Sequence, residues 1–371
     1  GAPPAVVVVT ESNGSVQRDQ DRTWDELLSQ DTEPSYATSS PDSMTTILFS
    51  SGTTGAPKAI PWDQSAPIRC AMDGHLHQDI HPGDMICWPT NLGWMMGPWL
   101  VYASLLNRAC MAIYEGAPTT KGFCRFVEET GVTMLGLVPS LVAAWKTSGA
   151  LEGADWSGIR VFSSTGECSN AIDMGWLMAA AGGRPVIEYC GGTEVAGGYI
   201  TSTVVQPAYA ATFSTAALGT AFVILDDEGK EADSGEVFLV PPSLGFSNRL
   251  LNADHHAVYY EGTPVGPNGE LLRRHGDHIE RLENGYYRAR GRVDDTMNLG
   301  GIKVSSAQIE EVVRRATGVS DVAAIAVPPP GGGPSLLVLF AVVVGEADTH
   351  ELKQKLQALI RKELNPLFKI H

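Results

Sequence analysis

Ser50-Ser51-Gly52-Thr53-Thr54-Gly55-Ala56-Pro57-Lys58 follows directly on the apolar run Thr46-Ile47-Leu48-Phe49 and reads as a phosphate loop on a strand. Gly52 and Gly55 let backbone approach an anion closely, while the clustered hydroxyls and Lys58 supply hydrogen-bond donors around it. Core packing requires no such density of donors, and a solvated Ser/Thr/Gly turn is the structural alternative. The loop is not a Walker A sequence: Ala56 and Pro57 separate Gly55 from Lys58, and Ala59 stands where that motif carries its metal-binding hydroxyl. An ordinary P-loop kinase or motor ATPase is therefore disfavoured.

Other candidate groups follow in Ser164-Thr165-Gly166-Glu167, Gly191-Gly192-Thr193-Glu194 and His275-Gly276-Asp277. Carboxylates beside glycine are predicted on tight turns rather than helix faces, with capping of a turn or helix as the structural alternative for each. Gly291-Arg292-Val293-Asp294-Asp295 then runs on to Asn298-Leu299-Gly300-Gly301-Ile302-Lys303. The six cysteines form no C-x-x-C pair, which points to a reducing compartment rather than a disulfide framework. His75, His77 and His81 lack the companion ligands of a zinc motif.

These groups need a sizeable scaffold. The 371 residues exceed the roughly 250–300 at which single cores stop growing, so at least two domains are expected. A hydrophobic content of 43% supplies the cores, and 26 basic against 42 acidic residues give a net charge of −16, which disfavours nonspecific binding to nucleic acid or anionic membranes. Alternating strand and helix signals predict a doubly wound α/β fold. Val132 to Val138 and Ile159 to Ser163 read as buried strands, and Thr220 to Val240 reads as a hairpin turning at Asp226-Asp227-Glu228-Gly229-Lys230. Near the start, Ala5 to Val9 reads as a strand and Thr23 with Glu26 as a capping box. After Arg292 a small α+β region is expected, with a helix over 307–316 opened by Ser305 and Gln308 and ended by Gly318. Leu336 to Val344 reads as a buried strand, far short of the ~18 residues of a membrane span, and Leu352, Leu356 and Ile360 mark one face of a last helix.

Taken in order, the motifs resemble the signatures of the adenylate-forming superfamily, which contains acyl-CoA synthetases, luciferases and the adenylation domains of peptide synthetases. Ser51 to Lys58 matches its Ser-Gly-Thr-Thr-Gly-x-Pro-Lys signature completely. The resemblance implies a large N-terminal domain of layered α/β subdomains plus a distorted β-barrel over 1–293, and a small α+β C-terminal domain over 294–371 with Asp294 as hinge. It implies that Ser51, Gly52, Thr53, Thr54, Gly55 and Lys58 hold ATP phosphates, that Gly166 and Glu167 meet adenine, and that Asp277 takes the ribose hydroxyls. Thr193 would meet the α-phosphate, Glu194 would hold Mg²⁺, Arg292 and Lys303 would add positive charge, and Gly301 would let the pantetheine of CoA pass. By the same resemblance Cys190 lies beside the acyl and adenine sites; it replaces a tyrosine or tryptophan and implies an acid larger than acetate.

Asn91-Leu92-Gly93-Trp94-Met95-Met96-Gly97 resembles an acyl-pocket segment of acetyl-CoA synthetases, with core packing as the alternative for Trp94, Met95 and Met96. Ile60-Pro61-Trp62 and Trp88-Pro89-Thr90-Asn91 resemble plant peroxisomal acyl-activating enzymes, which implies a peroxisomal setting. The function implied is an acyl-CoA synthetase. An adenylation domain loading a carrier protein and a noncatalytic nucleotide-binding regulator are the alternatives. The family extends on both sides of the matched part and carries a catalytic lysine in a later motif that Phe368-Lys369-Ile370-His371 does not match, so the sequence is expected to be a piece of a longer enzyme.

Overall fold

The computed structural model describes residues 7–8, 22–23, 25–26, 33, 38–50, 57–293, 296–299, 302–329, 333–343, 345 and 348–371. The chain divides into two compact units, Gly1–Ser40 and Pro41–His371. In the first, strands β1 (Val7–Val8) and β2 (Arg22–Thr23) pair in parallel. The expected capping box is present there, with Thr23 N donating to Glu26 Oε2 (2.9 Å) and Glu26 N donating to Thr23 Oγ1 (3.2 Å).

The second unit opens with an antiparallel pair, β3 (Thr46–Ser50) and β4 (Lys58–Trp62), followed by helix α1 (Ser65–Leu76). An alternating series follows: β5 (Met85–Cys87), α2 (Met96–Leu106), β6 (Cys110–Met111), α3 (Lys121–Glu129), β7 (Met134–Leu137), α4 (Pro139–Ser148), β8 (Val161–Ser164), α5 (Ala171–Ala180) and β9 (Val186–Gly192). β10 (Gly197–Thr201) and β11 (Thr215–Ala216) complete a sheet of order β11-β10-β9-β8-β7-β5-β6. Pairing is parallel from β9 to β6 and antiparallel at β10 and β11.

Successive strand residues point to opposite faces, and both faces are apolar. Ile86, Met134, Val161 and Ile187 pack with Cys70 of α1 and Trp99 of α2, whereas Cys87, Leu135, Phe162 and Val186 pack with Phe123, Trp145 and Met174 of α3, α4 and α5. This two-sided burial is the doubly wound arrangement that the alternating pattern predicts.

Beyond the sheet, β12 (Ala221–Leu225) and β13 (Ser234–Val240) form the expected hairpin, with Gly229 N donating to Asp226 O at its turn. After α6 (His255–Tyr259), β14 (Arg273–Arg281) and β15 (Tyr287–Arg292) extend it to four antiparallel strands, whose Ile224, Val237 and Ile279 share a core with Tyr199 and Ile200 of β10.

The remaining described residues have a core of their own, centred on Val304, Ile309, Val322, Leu356 and Ile360. It joins β16 (Thr296–Leu299), β17 (Ile302–Ser305), α7 (Ser306–Arg314), β18 (Val319–Val327), β19 (Leu336–Val343) and α8 (Thr349–Glu363). The expected helix is thus α7, starting one residue earlier and ending before Arg315, with Gly318 beyond it at φ +91°. The stripe on α8 is as expected, since Leu356 and Ile360 are buried. The run at 336–344 is buried on one face only: β19 pairs with β18 and bridges to Ile370 at the buried Leu337, while Phe340 and Val342 stand 61% and 59% exposed on the other face. Among the described residues no helix is long and apolar enough to cross a membrane.

Candidate functional site

The candidate groups gather where the chain leaves the carboxyl ends of parallel strands β8 and β9, the position at which open α/β sheets place ligand crevices. From β8 the chain enters the loop 165–170, with Gly166 at φ +92°. From β9 it makes a 3₁₀ turn, Thr193–Val195, and reverses into β10. A Cβ at Gly191 would lie 1.8 Å from the Gly197 carbonyl oxygen, and one at Gly192 would lie 2.8 Å from Glu194 Oε2. At Gly191 backbone leaves no room for a side chain, and at Gly192 a side chain would push the Glu194 carboxylate aside.

The turn is gripped from several sides. Trp62 Nε1 donates to Thr193 O (2.7 Å) and Ser247 N donates to Glu194 O (2.8 Å). Behind it, the fully buried Arg69 and Asp73 of α1 pair at 3.0 Å, one turn apart. Asp73 Oδ2 accepts from Tyr189 OH (2.6 Å) on β9 and from Gly198 N (3.0 Å) on β10, while Arg69 Nη2 donates to Gly198 O. Trp99 Nε1 donates to the same Tyr189 hydroxyl (3.1 Å). Burial, reinforced by Asp73, raises the Tyr189 phenol and keeps it a donor.

Asp277 lies within strand β14 rather than on the expected tight turn. Gly276 has φ +86°, and the register of β14 against β13 shifts between Arg274 and His278, so a bulge absorbs the glycine beside the carboxylate. Oδ2 of Asp277 accepts from Tyr199 OH (3.0 Å) and Cys190 Sγ (3.3 Å), and Oδ1 accepts from Arg292 Nη1 (3.0 Å). Arg292 Nη1 also donates to His275 O (2.7 Å). The buried His275 ring lies between the two acids: Nδ1 is 3.8 Å from Glu194 Oε1 and Nε2 is 3.1 Å from Asp277 Oδ2.

Lys58 opens β4, with Nζ 5.1 Å from the centre of the Tyr259 ring; Arg273 Cζ lies 4.0 Å from the same centre and 5.4 Å from that of Phe246. Burial and then the charge of Glu194 raise the Tyr259 phenol, which ties this cation–aromatic group to the Glu194 turn. Asn252 Oδ1 accepts from Ala59 N (2.8 Å) and its Nδ2 donates to Pro57 O (2.8 Å), fixing the start of β4.

Glu167 acts as a cap. Helix α4 begins after Val138, which has no capping side chain, and Glu167 Oε2 accepts from Ser140 N (2.8 Å) in its place. Ser51, Gly52, Thr53, Thr54, Gly55, Asp294, Asp295, Gly300 and Gly301 lie outside the described residues. Lys303 is on β17 opposite Asn298. Trp94 is exposed rather than core, whereas Met96 is buried. None of the six cysteines forms a disulfide; His75 and His81 bond locally to Ile80 O and Asp79, and His77 Nε2 accepts from Leu218 N across the fold.

Sequence reasoning passes over Glu188, Arg273, Tyr259 and the Arg69–Asp73 pair. Glu188 has one signal, a lone charge inside the apolar strand Val186-Ile187-Glu188-Tyr189. It is buried, accepts from Ser169 Oγ (2.8 Å), and is pushed by burial from 4.5 to about 8. The nearby Cys168 thiol is raised to about 12 by burial, then by Asp277, Glu188 and Glu167, which places these three acids around it.

The raised Glu188 carboxyl fixes a pH dependence. Above 4.5 and below about 8 the folded protein retains a proton that the unfolded chain has released. Its favourable contribution is therefore complete below the lower value and lost as pH rises through the window. Glu188→Gln should flatten this slope and raise the melting temperature at pH 8.5, because glutamine has no proton to release on unfolding. Parallel melts from pH 5 to 8.5 check it; identical slopes for the two proteins would refute it.

The AMP-binding enzyme family model matches residues 2–243. Hexanoyl-CoA synthase of Cannabis sativa is 48% identical over 386 residues, covering 100% of this chain and 54% of that protein. Probable acyl-activating enzyme 17, peroxisomal, of Arabidopsis thaliana is 47% identical, covering 100% of this chain and 53% of that protein. Among solved structures, acetoacetyl-CoA synthetase from Streptomyces lividans superposes with a TM-score of 0.71 at 28% identity, covering 99% of this chain and 57% of that one. The chain thus spans about half the length of the curated relatives it matches.

Proposed function

Because this chain belongs to the AMP-binding enzyme family, we propose that the protein is an acyl-CoA synthetase, activating a carboxylic acid with ATP and transferring the acyl group to CoA. One observation carries the reading: Glu194 and Asp277, from the β9–β10 turn and from β14, stand 3.8 and 3.1 Å from the two nitrogens of one buried imidazole, beside the carboxyl ends of parallel strands. That spacing suits a nucleotide with its ribose at Asp277 and its phosphates towards Glu194.

In the first half-reaction an oxygen of the acid attacks the α-phosphorus, and the bond to the bridging oxygen breaks with its electron pair leaving on pyrophosphate. The CoA thiolate then attacks the acyl carbon and AMP departs. The chain's part is positioning and charge neutralisation. Loop 51–55 and Lys58 receive the phosphates, Thr193 meets the α-phosphate, and Arg292 holds Asp277 in place for the ribose. Gly166 and Glu167 border the adenine, Lys303 adds charge, and Gly301 passes pantetheine.

Mg²⁺ fits Glu194, because that ion takes one or two carboxylates and completes its shell with substrate phosphates and water. Among the described residues no group of three or more His, Cys, Asp or Glu is arranged as a metal cage, in keeping with an ion that arrives on the nucleotide. Bound there, it would offset phosphate charge. The division at 293/294, with Asp294 as hinge, belongs to the same reading. So does a peroxisomal setting, by similarity to a relative so named.

ATP–pyrophosphate exchange over a panel of acids tests the proposal, on this chain and on the full-length protein, followed by CoA-dependent AMP release. Exchange is expected with an acid larger than acetate, in line with the similarity to a hexanoyl-CoA synthase. Nucleotide binding without exchange for any acid in the full-length protein would favour a noncatalytic nucleotide-binding role. Exchange with amino acids would favour carrier loading.

A further inference from the structure

His275 is fully buried, packed edge-on against Tyr199 at 4.6 Å between ring centres, and its two nitrogens face two different acids. Neither nitrogen makes an aligned hydrogen bond among the described residues. A buried imidazole left so is unusual, since leaving a buried polar group unmet destabilises the fold. Space filling does not account for it, because an apolar side chain would fill the site without that penalty. The gaps differ: 3.1 Å to Asp277 Oδ2 needs only realignment, whereas 3.8 Å to Glu194 Oε1 needs a shift of the turn. The main chain of His275 is itself tied to Arg292, which also holds Asp277.

The geometry points to His275 as a positioning residue that couples the nucleoside side of the site to the metal–phosphate side. A ribose that orders Asp277 brings the imidazole into line, and the aligned ring draws Glu194 towards its working position. Linkage makes the effect reciprocal, so phosphate binding at Glu194 tightens nucleoside binding at Asp277. The inference rests on the adenylating reading above and adds a residue to which the sequence motifs give no role.

Calorimetry with two probes that engage the halves separately tests it: adenosine for the Asp277 side and Mg²⁺-pyrophosphate for the Glu194 side. In the unmodified protein, saturating Mg²⁺-pyrophosphate should tighten adenosine binding about 5-fold or more, within the ~5–150-fold range of such couplings. In His275→Leu the ratio should fall to within about 2-fold of unity, whatever the absolute affinities. Ring signals of His275 in the unmodified protein supply a second readout that does not depend on the variant folding, and they should move with each probe. An unchanged ratio in the variant, or ring signals that respond to one probe only, overturns the coupling role alone. Failure of the unmodified protein to bind either probe overturns the adenylating reading, and this inference with it.

Discussion

Glu194→Gln should lower Mg²⁺-dependent ATP–pyrophosphate exchange in the full-length protein by about 100-fold or more, the scale seen when one preorganised electrostatic contact is removed. The exchange conserves volume, and the bonds that shape the turn use backbone: Ser247 N reaches Glu194 O, and Trp62 Nε1 reaches Thr193 O. Folding should therefore survive. What disappears is the negative charge folded over Gly192, and an amide oxygen replaces it only weakly as a ligand for a hard cation. Exchange rates measured against Mg²⁺ concentration decide the matter, with a melt as control. An unaltered Mg²⁺ dependence would remove Glu194 from the metal role.

Asp73→Ala should be the most destabilising single change near the site, by about 3–5 kcal/mol, because it leaves the Arg69 guanidinium buried without its acid. Arg69 Nε loses its ion-pair partner while Tyr189 OH and Gly198 N each lose an acceptor. The last two flank the Glu194 turn, so adenylation should fall as well. The double variant Arg69→Met/Asp73→Leu separates the effects, since replacing a whole buried pair by apolar side chains is often neutral or better for stability. It should recover most of the denaturation midpoint while exchange stays depressed. Recovery of both would reduce the pair to a packing element, and an unchanged midpoint for Asp73→Ala would contradict the burial argument.

Legibility follows the range of the interactions. Strands β7 and β8, the β12–β13 hairpin, the Thr23–Glu26 box and the stripe on α8 are written in neighbouring residues, through apolar runs, turn chemistry and helical spacing. The chemical groups in the motifs are equally visible, because glycine next to a carboxylate or hydroxyl is a local pattern. Partners are not. Nothing beside Asp73 in the chain announces Tyr189 or Gly198, and nothing beside Lys58 announces Tyr259 and Arg273. Glu167 shows the same limit, since its glycine-flanked position suits a ligand or a cap and only the place of α4 reveals the bond to Ser140. Asp277 departs from its expected turn because a glycine at positive φ usually ends a strand, whereas here a bulge against β13 absorbs it. The 336–344 run departs from its expected burial because an unbroken apolar stretch does not say whether a second layer covers it.

The tie between Asn252 and the start of β4 also has a bearing on biosynthesis. Pro57 and Ala59 are secured by a residue 195 and 193 positions later. A ribosome must therefore release most of the second unit before the start of β4 acquires its anchor. The acids brought to the same place, Glu194 and Asp277, also emerge well after Lys58. Closing so long a loop is slow, and apolar strands made earlier wait with incomplete cover. On the proposed reading, nucleotide can stabilise a nascent chain only once β14 has emerged, and the interval before that is when chaperone protection counts most.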